Sequence, residues 1–514
     1  MEVKKECINF MEQCVKLSTN VCVEGDVIVP DMKPDIREIL LADANAITQS
    51  CEYRNGKLFV SGTVFFKVLY RPDAEHDQGE MKSLSTSFGF SDSVDIPSGE
   101  GLTFHVNAAT EHIGFTLVNS RKLSAKMIVS LGICGDCSKT FAPVTDISDE
   151  KIPCRKKTYD MEMPMGEVRS CFKVTDFLTV PADMPDIEEI LKMDVWASDA
   201  VCKKMSGKGM LSGTLHVKTL YTAADEGCTT QVVSHEIPFT EIVEAEGLDE
   251  DCSACVIFSV QDVLYSVRGD MNGDTKIINA EILVCAELGY SKTIKHTMVD
   301  DCYGICGEVQ CTYETFCADS PVAKEQTTFV KTQAVPMENK AKLGEVVHVS
   351  CKPILREACM EADGVHVRGT LVSFMLYREE GDGALIKSAV TETDFDWKKQ
   401  IDAKGNSVDC RLWLEDTKGT VKNSGEAEVT ATLGLNLMVC NRQNVAVLTD
   451  CALSAEESDR KEHPGLILYF AEEGDTLWGI AKRYGTTMDK IRDANNLQTE
   501  RFAGGERLLI PKAS

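Results

Sequence analysis

The sequence predicts a mainly β protein, in which three tandem antiparallel β domains precede a small C-terminal module with two helices. The chain has 514 residues, a length that suits three or four domains. A strand-like segment rich in Val, Phe and Tyr, with the pattern Gly-Thr-x5-Leu-Tyr, occurs three times and ends at Tyr70, Tyr221 and Tyr377. Helical periodicity is clearest after residue 465, where the apolar residues follow a 3.6-residue spacing.

The repetition extends beyond this strand. Val29–Leu40 returns as Val180–Leu191, an offset of 151 residues (180 − 29), and the strand ending at Tyr70 returns with the same offset. Its third copy ends 307 residues after the first (377 − 70). A period of this length is too long for a solenoid, so we interpret the copies as tandem domains. Each copy closes with a related strand, at Ala125–Val129, Ala280–Val284 and Ala427–Ala431.

Each copy is expected to form an antiparallel sandwich or a partly closed barrel, with at most one short helix. We predict that helix over Pro34–Leu41 in the first copy, because proline loses no hydrogen bond at a helix start and Asp35 meets the positive end of the dipole. Copy three has Met337–Val347 at this place and should lack the helix. The predicted divisions are an N-terminal segment (1–24), repeat 1 (25–145), repeat 2 (170–295), a Cys-containing linker (296–330), repeat 3 (331–452), a linker (453–464) and the C-terminal module (465–512).

Composition and charge exclude several partners. The formal net charge of −27 argues against binding to nucleic acid or to anionic lipid, both of which need cationic surfaces. No stretch approaches 18 consecutive apolar residues, so no transmembrane segment is expected. The first residues, MEVKKECINFME, lack an uninterrupted apolar run and do not resemble a secretory signal. We therefore expect a cytoplasmic protein.

The 22 cysteines are irregularly spaced and, without an export signal, are expected to be reduced thiols. The pairs Cys134/Cys137 and Cys252/Cys255 have the CxxC spacing but lack a thioredoxin-like setting. A zinc site would need four converging ligands, which Cys302, Cys306, Cys311 and Cys317 could supply. Unliganded thiols are the favoured interpretation, so no metal is predicted.

The sequence offers no catalytic site and no cofactor site. Asp35 with Glu38, and Asp186 with Glu189, have a spacing that could serve acid–base chemistry on a helix, but a solvated first helical turn explains them better. The nine histidines are scattered, and neither a nucleophile motif nor a phosphate-binding loop occurs. The chain is predicted not to be an enzyme.

The C-terminal module reads as strand, helix, helix and strand. An apolar run, Leu466–Phe470, is followed by a turn in which Asp475 or Thr476 can cap the first helix, and Gly485 is placed to end it. Thr486 or Thr487 can cap the second helix, which ends near Asn495–Asn496, and a last strand runs to Ile510. The residues expected to face the module core are Leu477, Ile480, Ala481, Tyr484, Met488, Ile491 and Ala494.

This order, with the segments GDTLWGIAKRYGTT, NNL and LLIP, resembles a LysM module. The resemblance implies binding to N-acetylglucosamine-containing glycans, usually peptidoglycan, in a groove between the loop before the first helix and the loop after the second. Trp478 is read as a core residue rather than a sugar-stacking aromatic. Glu506 stands in a segment where such modules usually carry Pro-Gly-Gln, which leaves room for a protein ligand. The groove residues implied by the resemblance are Gly474, Asp475, Thr476, Leu477, Asn496, Leu497, Arg501 and Phe502.

The motif VPxxxPDIxEIL, followed by a strand ending in GTxxxxxLY, resembles the SPOCS domain of spore-coat proteins. Its key residues are Pro34, Asp35, Ile36, Pro185, Asp186 and Ile187. The resemblance implies a non-catalytic scaffold in the mother cell, at the forespore surface, with a basement-layer ATPase (SpoIVA-like) and other coat proteins as partners. The alternative is a peptidoglycan- or cortex-binding protein that uses the LysM groove. A wall hydrolase would need a catalytic domain that three copies of one β unit do not offer.

Overall fold

The computed structural model describes residues 2–73, 80–225, 229–269, 273–336, 343–381, 385–401, 405–423, 426–453, 465–502 and 504–511. These residues form 22 strands and two helices, and both helices lie in the C-terminal module. The mainly β fold class is therefore confirmed. A short ribbon joins the first strand, β1 (Glu2–Lys5), to β8 (Val144–Ser148).

Each repeat is a sandwich of two three-stranded antiparallel sheets, so the first of the two predicted architectures is the observed one. The sheets of repeat 1 have the orders β2-β7-β6 and β3-β4-β5, and the same order recurs in repeats 2 and 3. Alternate residues of each strand point into a core between the sheets, as in β4, where Leu58, Val60 and Val64 are fully buried. The strands of repeat 1 are β2 (Ile8–Ile28), β3 (Ile36–Arg54), β4 (Lys57–Pro72), β5 (Lys82–Asp95), β6 (Thr103–Asn119) and β7 (Lys122–Phe141).

Repeats 2 and 3 follow the same plan, although repeat 3 lacks the Pro-Asp-Ile motif. The strands of repeat 2 are β9 (Cys154–Thr179), β10 (Ile187–Met205), β11 (Lys208–Ala223), β12 (Thr230–Glu244), β13 (Ser253–Arg268) and β14 (Ile277–Cys302). Those of repeat 3 are β15 (Val309–Pro336), β16 (Leu343–Glu361), β17 (Gly364–Glu379), β18 (Ile386–Lys399), β19 (Ser407–Asn423) and β20 (Glu426–Leu453).

The helix predicted over Pro34–Leu41 is wrong, because β3 begins at Ile36 and pairs with β4. Register shifts between Ile36 and Glu38 and again between Ile39 and Leu41 interrupt the two-residue alternation of the strand. As a result Ile36, Leu40 and Leu41 are all buried, a spacing that imitates one face of a helix. The same shifts occur at the start of β10, so Ile187–Leu191 of the second copy is also strand rather than helix.

The Pro-Asp-Ile motif instead forms the crossing between the two sheets. In repeat 1 the Asp35 carboxylate accepts hydrogen bonds from Ser120 Oγ at 2.7 Å and from the Arg121 guanidinium at 2.6 Å. That guanidinium also donates to the carbonyl groups of Val29, Pro30 and Lys33. The arginine therefore closes the turn that precedes β3.

Repeat 2 builds the same crossing with a lysine. Lys276 Nζ donates to the carbonyl oxygens of Ala182 and Met184 at 3.0 and 2.9 Å, and Asp186 accepts from the backbone N–H of Thr275 at 3.1 Å. The buried tyrosine that ends each repeated strand completes the motif. Tyr70 Oη donates to the Pro34 carbonyl and Tyr221 Oη to the Pro185 carbonyl, each at 3.0 Å.

The glycine of the repeated strand is required by close packing. A Cβ atom on Gly62 would meet the Ile47 carbonyl oxygen and the Phe90 ring. Gly369 is enclosed in the same way by Ile354 and Phe395, and Gly213 lies against Phe239. The residue paired with Gly62 is Thr48, and the register of β3 shifts between Thr48 and Ser50.

The three repeats pack against one another around a shared apolar cluster. Leu69, Leu220 and Leu376, which occupy the same place in the three copies of the repeated strand, are each 1% exposed or less. Because each repeat contributes a leucine, the sandwiches form one body rather than separate domains on a string. The other buried members of this cluster are Leu40, Leu41, Met81, Leu191 and Ile386.

A buried ionic network lies at the same junction. Lys192 Nζ donates to Asp194 at 2.5 Å and lies 2.8 Å from Asp43 of repeat 1. His348 of repeat 3 donates from Nε2 to Asp194 at 2.8 Å. Although burial acts in the opposite sense, these contacts raise the pKa of Lys192 and lower the pKa of Asp194. Burial lowers the pKa of His348, so the ring is held neutral.

The longest ribbons run beyond the sandwiches and meet in a second layer, which we call the stem. Each ribbon bends where the register shifts, at Cys14, Met165 and Val322. The stem core joins all three repeats and contains Ile8, Phe141, Tyr159, Met161, Met163, Met298, Phe316, Val445 and Val447. Residues predicted as an N-terminal segment (1–24) lie largely in β2, and those of the predicted linker (296–330) lie largely in β14 and β15.

Among the cysteines that the structure describes, one pair forms a disulfide. Cys171 and Cys285 are directly opposite in β9 and β14 and are bonded, so the expectation of reduced thiols is wrong for this pair. Cys302 and Cys311 approach to 3.4 Å between sulfur atoms. Cys317 lies further along β15, opposite Asn444, so the four thiols considered for zinc do not gather into one site.

We predict that Gly62→Ala destabilises the body by about 1–3 kcal/mol, because the added methyl group overpacks the contact with Ile47 and Phe90. Gly89→Ala is the matched control, since that glycine lies in the adjacent strand and a Cβ there would meet nothing within 4 Å. Thermal unfolding checks the difference. Equal midpoints for the two variants would contradict the packing argument.

The buried His348 predicts a pH dependence with a defined sign. Because its folded pKa is lowered, its stabilising contribution is complete above its unfolded pKa of about 6.5 and is lost as the pH falls below that value. His348→Gln keeps a donor for Asp194 but cannot titrate. We therefore expect the apparent unfolding midpoint of the variant to fall less between pH 7 and pH 5 than that of the parent chain. Parallel pH profiles would show that His348 does not couple to folding.

Candidate ligand-binding site

The C-terminal module has the predicted order of elements. Strand β21 (Leu466–Phe470) pairs antiparallel with β22 (Arg507–Pro511), and the helices α1 (Leu477–Tyr484) and α2 (Met488–Asn495) lie between them in sequence. The predicted caps are also observed. Thr476 accepts from the Gly479 N–H, Thr487 accepts from the Lys490 N–H, and Gly485 ends α1 in the left-handed conformation.

The module core follows the helical spacing with one exception. Leu477, Ile480, Ala481 and Ile491 are buried, while Ala494 is exposed, so its predicted inward position is wrong. The next residue faces β22 instead. Asn495 Nδ2 donates to the Leu509 carbonyl at 2.6 Å, and its Oδ1 accepts from the Leu509 N–H at 2.7 Å. The asparagine thereby fixes α2 against the last strand.

The two loops predicted to form a groove lie side by side. Thr476 and Arg501 form an isolated antiparallel bridge. The Leu477 N–H donates to the Glu500 carbonyl at 2.9 Å, and the Phe502 N–H donates to the Asp475 carbonyl at 3.3 Å. These backbone hydrogen bonds hold the loop before α1 against the loop after α2, so the relative position of the two groove walls is fixed.

Asp475 supports the first loop. Its carboxylate accepts from Tyr469 Oη at 2.6 Å and from the Glu472 N–H at 2.9 Å, with Arg483 3.8 Å away. The hydrogen bond from Tyr469, followed by that from the Glu472 backbone, lowers the pKa of Asp475. Asp475 therefore closes the turn, and Thr476 is the helix cap.

The second loop is fixed from α2. Asn496 adopts the left-handed conformation with φ 52° and ends the helix, and the Leu497 N–H donates to the Arg492 carbonyl at 3.1 Å. The Arg492 guanidinium reaches Glu500 at 3.0 Å. Both walls of the groove are therefore tied to helices or to each other.

The eight groove residues predicted from the sequence divide into three groups. Leu477 and Phe502 are buried in the module core and form the support of the groove rather than its surface. Asp475, Thr476 and Leu497 are half-buried, and the remaining three, Gly474, Asn496 and Arg501, are exposed. The accessible groups are backbone, amide, hydroxyl and guanidinium, which suit hydrogen bonding to a polar ligand.

Glu506 acts within its own turn. Its carboxylate accepts from the Gly504 N–H at 2.9 Å, and its carbonyl accepts from the Ala471 N–H at 2.9 Å. Gly504 and Gly505 both have positive φ, which glycine adopts without strain. The acidic side chain thus closes the loop before β22.

A contact that the sequence did not reveal attaches the module to the stem. Trp478 of α1 is 7% exposed, and its Nε1 donates to Asp301 Oδ2 at 2.8 Å. Its ring meets Tyr303 edge to face at a centroid distance of 5.0 Å. Trp478 is a core residue, as predicted, but the core is shared with the body. Because 177 positions separate Asp301 from Trp478, no local sequence pattern could indicate this contact.

Among the described residues, one group of side chains has ligand atoms close enough together to hold a metal ion, and it consists of Glu361, Asp363 and His366. The His366 Nε2 atom lies 2.8 Å from Asp363. The Arg368 guanidinium pairs with Glu357 and Glu361, so part of the local acidic charge is compensated. We interpret the group as an ion-pair network on the surface of repeat 3.

The fold and the groove define a multidomain β protein with a C-terminal binding module. Comparison with protein families identifies the domains. The family described as "SipL, SPOCS domain" matches residues 35–118 and 186–268, and the LysM domain family matches residues 472–511. The chain therefore contains two SPOCS domains and a LysM domain, as the sequence motifs predicted. Repeat 3 is not matched, but it has the same strand order as the two SPOCS repeats.

Relatives found by sequence share the module. A probable endopeptidase p60 of Listeria monocytogenes serovar 1/2a is 54% identical over 39 residues, which is 8% of either chain. A probable N-acetylmuramidase of Lactococcus lactis subsp. cremoris is 45% identical over 42 residues, 8% of this chain and 10% of the relative. The chain thus spans about a tenth of the length of these proteins. The matches lie in the LysM region, so they show no catalytic domain in this chain.

No solved structure matches the chain. Neither described helix is long and apolar enough to span a bilayer. The SPOCS and LysM domains are binding modules, and the LysM domain supports a peptidoglycan-binding type of groove.

We predict that Asp475→Ala loosens the groove, because the Glu472 N–H and the Tyr469 hydroxyl lose their acceptor, at a cost of about 1–3 kcal/mol. Faster hydrogen exchange of the loop before α1 and of the start of α1 checks this. Glu473→Ala, at an exposed neighbouring position, is the control. Asp475→Asn retains an acceptor oxygen and should fall between the two. If the hydrogen exchange rates of Asp475→Ala equal those of Glu473→Ala, Asp475 does not support the groove.

Proposed function

We propose that this chain is a non-enzymatic scaffold of the bacterial spore coat. It acts in the mother cell at the forespore surface, where the LysM groove docks a coat basement-layer protein, a SpoIVA-like ATPase, and helps to encase the forespore. The supporting observation is that two SPOCS domains, a third repeat of the same strand order and a LysM domain are packed into one chain. We found no catalytic constellation among the described residues.

In this proposal the groove supplies specificity and the body supplies further contact surface. The exposed side chains of Asn496 and Arg501 lie on the loop that is bonded to the start of α1, so they present amide and guanidinium donors in a fixed arrangement. Such donors recognise carbonyl and carboxylate groups of a protein as readily as the oxygens of a sugar. Several weak contacts made by one chain sum to firm attachment, because the second contact forms at high effective concentration.

The body and the module also differ in net charge. Residues 465–512 contain seven Asp or Glu and seven Lys or Arg, so the net charge of −27 belongs entirely to the rest of the chain. An acidic body attracts partners with a positive surface and repels polyanions. The neutral module can approach a ligand of either sign.

The alternative function is binding of N-acetylglucosamine in peptidoglycan or spore cortex through the same groove. The similarity of the module to the LysM regions of a probable endopeptidase and a probable N-acetylmuramidase favours it. This function requires contact with the wall, whereas coat assembly proceeds in the mother-cell cytoplasm.

A double variant, Asn496→Ala with Arg501→Ala, tests the docking role. We expect at least a tenfold loss in recovery of the purified basement-layer ATPase in a pull-down, because both exposed donors of the groove are removed. Asp493→Ala, an exposed change on α2, is the matched control and should leave recovery unchanged. A chain cut at Pro464 should behave like the double variant. If the truncated chain recovers the ATPase at full level, docking through the module is wrong.

The same proteins sedimented with purified peptidoglycan distinguish the alternative. Co-sedimentation of the parent chain that the double variant loses, together with unchanged ATPase recovery, would assign the groove to glycan. A fluorescent fusion in sporulating cells should encircle the forespore and lose that position when residues 464–514 are removed. Diffuse fluorescence of the intact fusion would contradict the coat function.

A further inference from the structure

Helix α1 is held against the end of the stem by contacts from two successive turns. Trp478 and Lys482 are four residues apart, on one side of the helix. Both reach Asp301, the tryptophan through Nε1 to Oδ2 at 2.8 Å and the lysine through Nζ to Oδ1 at 2.6 Å. One carboxylate at the end of β14 thus bonds to the helix with both of its oxygens.

The contact continues past the end of the helix. Tyr303 Oη donates to the Thr486 carbonyl at 2.7 Å in a fully buried hydrogen bond. The Arg155 guanidinium lies 5.6 Å from the centre of the Trp478 ring and is also bonded to Asp300. The tryptophan is therefore surrounded by an aromatic ring, a cation and a carboxylate of the body.

The apolar part of this contact belongs to the core of the module. Tyr303, which is 4% exposed, forms one cluster with Leu477, Ile480 and Ile491. Ile305 packs against the same cluster. The stem therefore contributes two side chains to a core that the module does not complete alone.

The polar groups of the contact are matched, and Asp301 and Tyr303 are largely buried. Although burial acts in the opposite sense, hydrogen bonds from Lys482 and Trp478 lower the pKa of Asp301. Burial raises the pKa of Tyr303, which keeps its hydroxyl protonated and able to donate. Separating the surfaces would expose an apolar tryptophan and break three hydrogen bonds at once, so the docked arrangement is favoured over a freely tethered one.

We propose that the LysM module is docked on its own chain, with Asp301, Tyr303 and Arg155 as positioning residues that hold the groove in a fixed direction relative to the three repeats. The Trp478 face of α1 is occupied by the stem, so an external ligand is left with the groove formed by the loops around Thr476 and Arg501. The consequence for ligand binding rests on the function proposed above. The docking itself does not.

Cleavage of the connecting segment tests the proposal without any partner. A site-specific protease site is inserted into residues 454–464 of the full chain, the chain is cut, and the products are separated by gel filtration. We expect residues 465–514 to remain with the body after the cut. Release of the fragment from the otherwise unaltered chain would overturn the proposal.

Variants on the body side identify the positioning residues and leave the module sequence intact. Tyr303→Ala and Asp301→Ala should each increase the released fraction at least tenfold, whereas Tyr303→Phe, which loses only the bond to Thr486, should give an intermediate value. Tyr265→Ala, a change at a more exposed tyrosine of repeat 2, should release no more than the parent. If Tyr303→Ala fails to fold, Asp301→Ala and Tyr303→Phe still test whether these residues hold the module. Retention of the fragment in both would refute the assignment.

The outcome is independent of the pull-down experiment. Retention of the cleaved module together with unchanged ATPase recovery by the groove variants would support docking and reject the proposed function. Release of the cleaved module, together with loss of ATPase recovery by the groove variants, would reject docking and support the proposed function. The two proposals can therefore fail separately.

Discussion

Leu69, Leu220 and Leu376 meet where the three repeats of this protein join, and the remaining structure depends on that contact. Complete burial of a leucine side chain is worth about 1.5–3 kcal/mol, and each of these residues also lies in the central strand of its own sheet. The adjoining tyrosine in each copy points into the sandwich core of its repeat. One Leu-Tyr pair therefore stabilises both the individual repeat and the association of repeats, which accounts for its recurrence at Tyr70, Tyr221 and Tyr377.

The same long strands carry this association into the stem. Strands β9, β14, β15 and β20 each exceed 25 residues, because one part of each belongs to a sandwich and the other to the stem. The register shifts at Met165 and Val322 let the ribbons bend without ending the hydrogen-bond ladder. The end of β14 then carries Asp301 to helix α1, so the placement of the LysM groove follows from the packing of the repeats.

Much of this could be predicted from the sequence, since repeated motifs, strand alternation and helix caps are local signals. The caps could be narrowed to Asp475 or Thr476 and to Thr486 or Thr487, with Gly485 at the end of α1, because each satisfies backbone groups within its own helix. The failure at Pro34–Leu41 has a physical cause, because two bulges give a strand the apolar spacing of a helix. Burial of Phe502 was missed because the groove was inferred by resemblance, which assigns positions but not solvent exposure.

Long-range contacts were beyond sequence reasoning. The linker predicted at 296–330 reads as a cysteine-containing connection, yet its first residues run through the stem core and reach Asp301 and Tyr303. Their role depends on Trp478, which lies about 175 positions away, and composition carries no information about such a pair. The disulfide between Cys171 and Cys285 was missed for the same reason, since it depends on the register of β9 against β14.

The buried ionic network gives the body a defined order. Lys192 and His348 pair in register with Leu220 and Leu376, and in repeat 1 the residue that pairs with Leu69 is Leu41. Three positions that are equivalent by fold thus hold a lysine, a histidine and a leucine. Asp43 and Asp194 face the charged lysine, and Asp194 also accepts from the neutral histidine. Moving repeat 2 to another place would separate Lys192 from Asp43 of repeat 1 and Asp194 from His348 of repeat 3. The three copies of one unit are therefore not interchangeable at the junction, because each has a different side chain at this position and different partners for it.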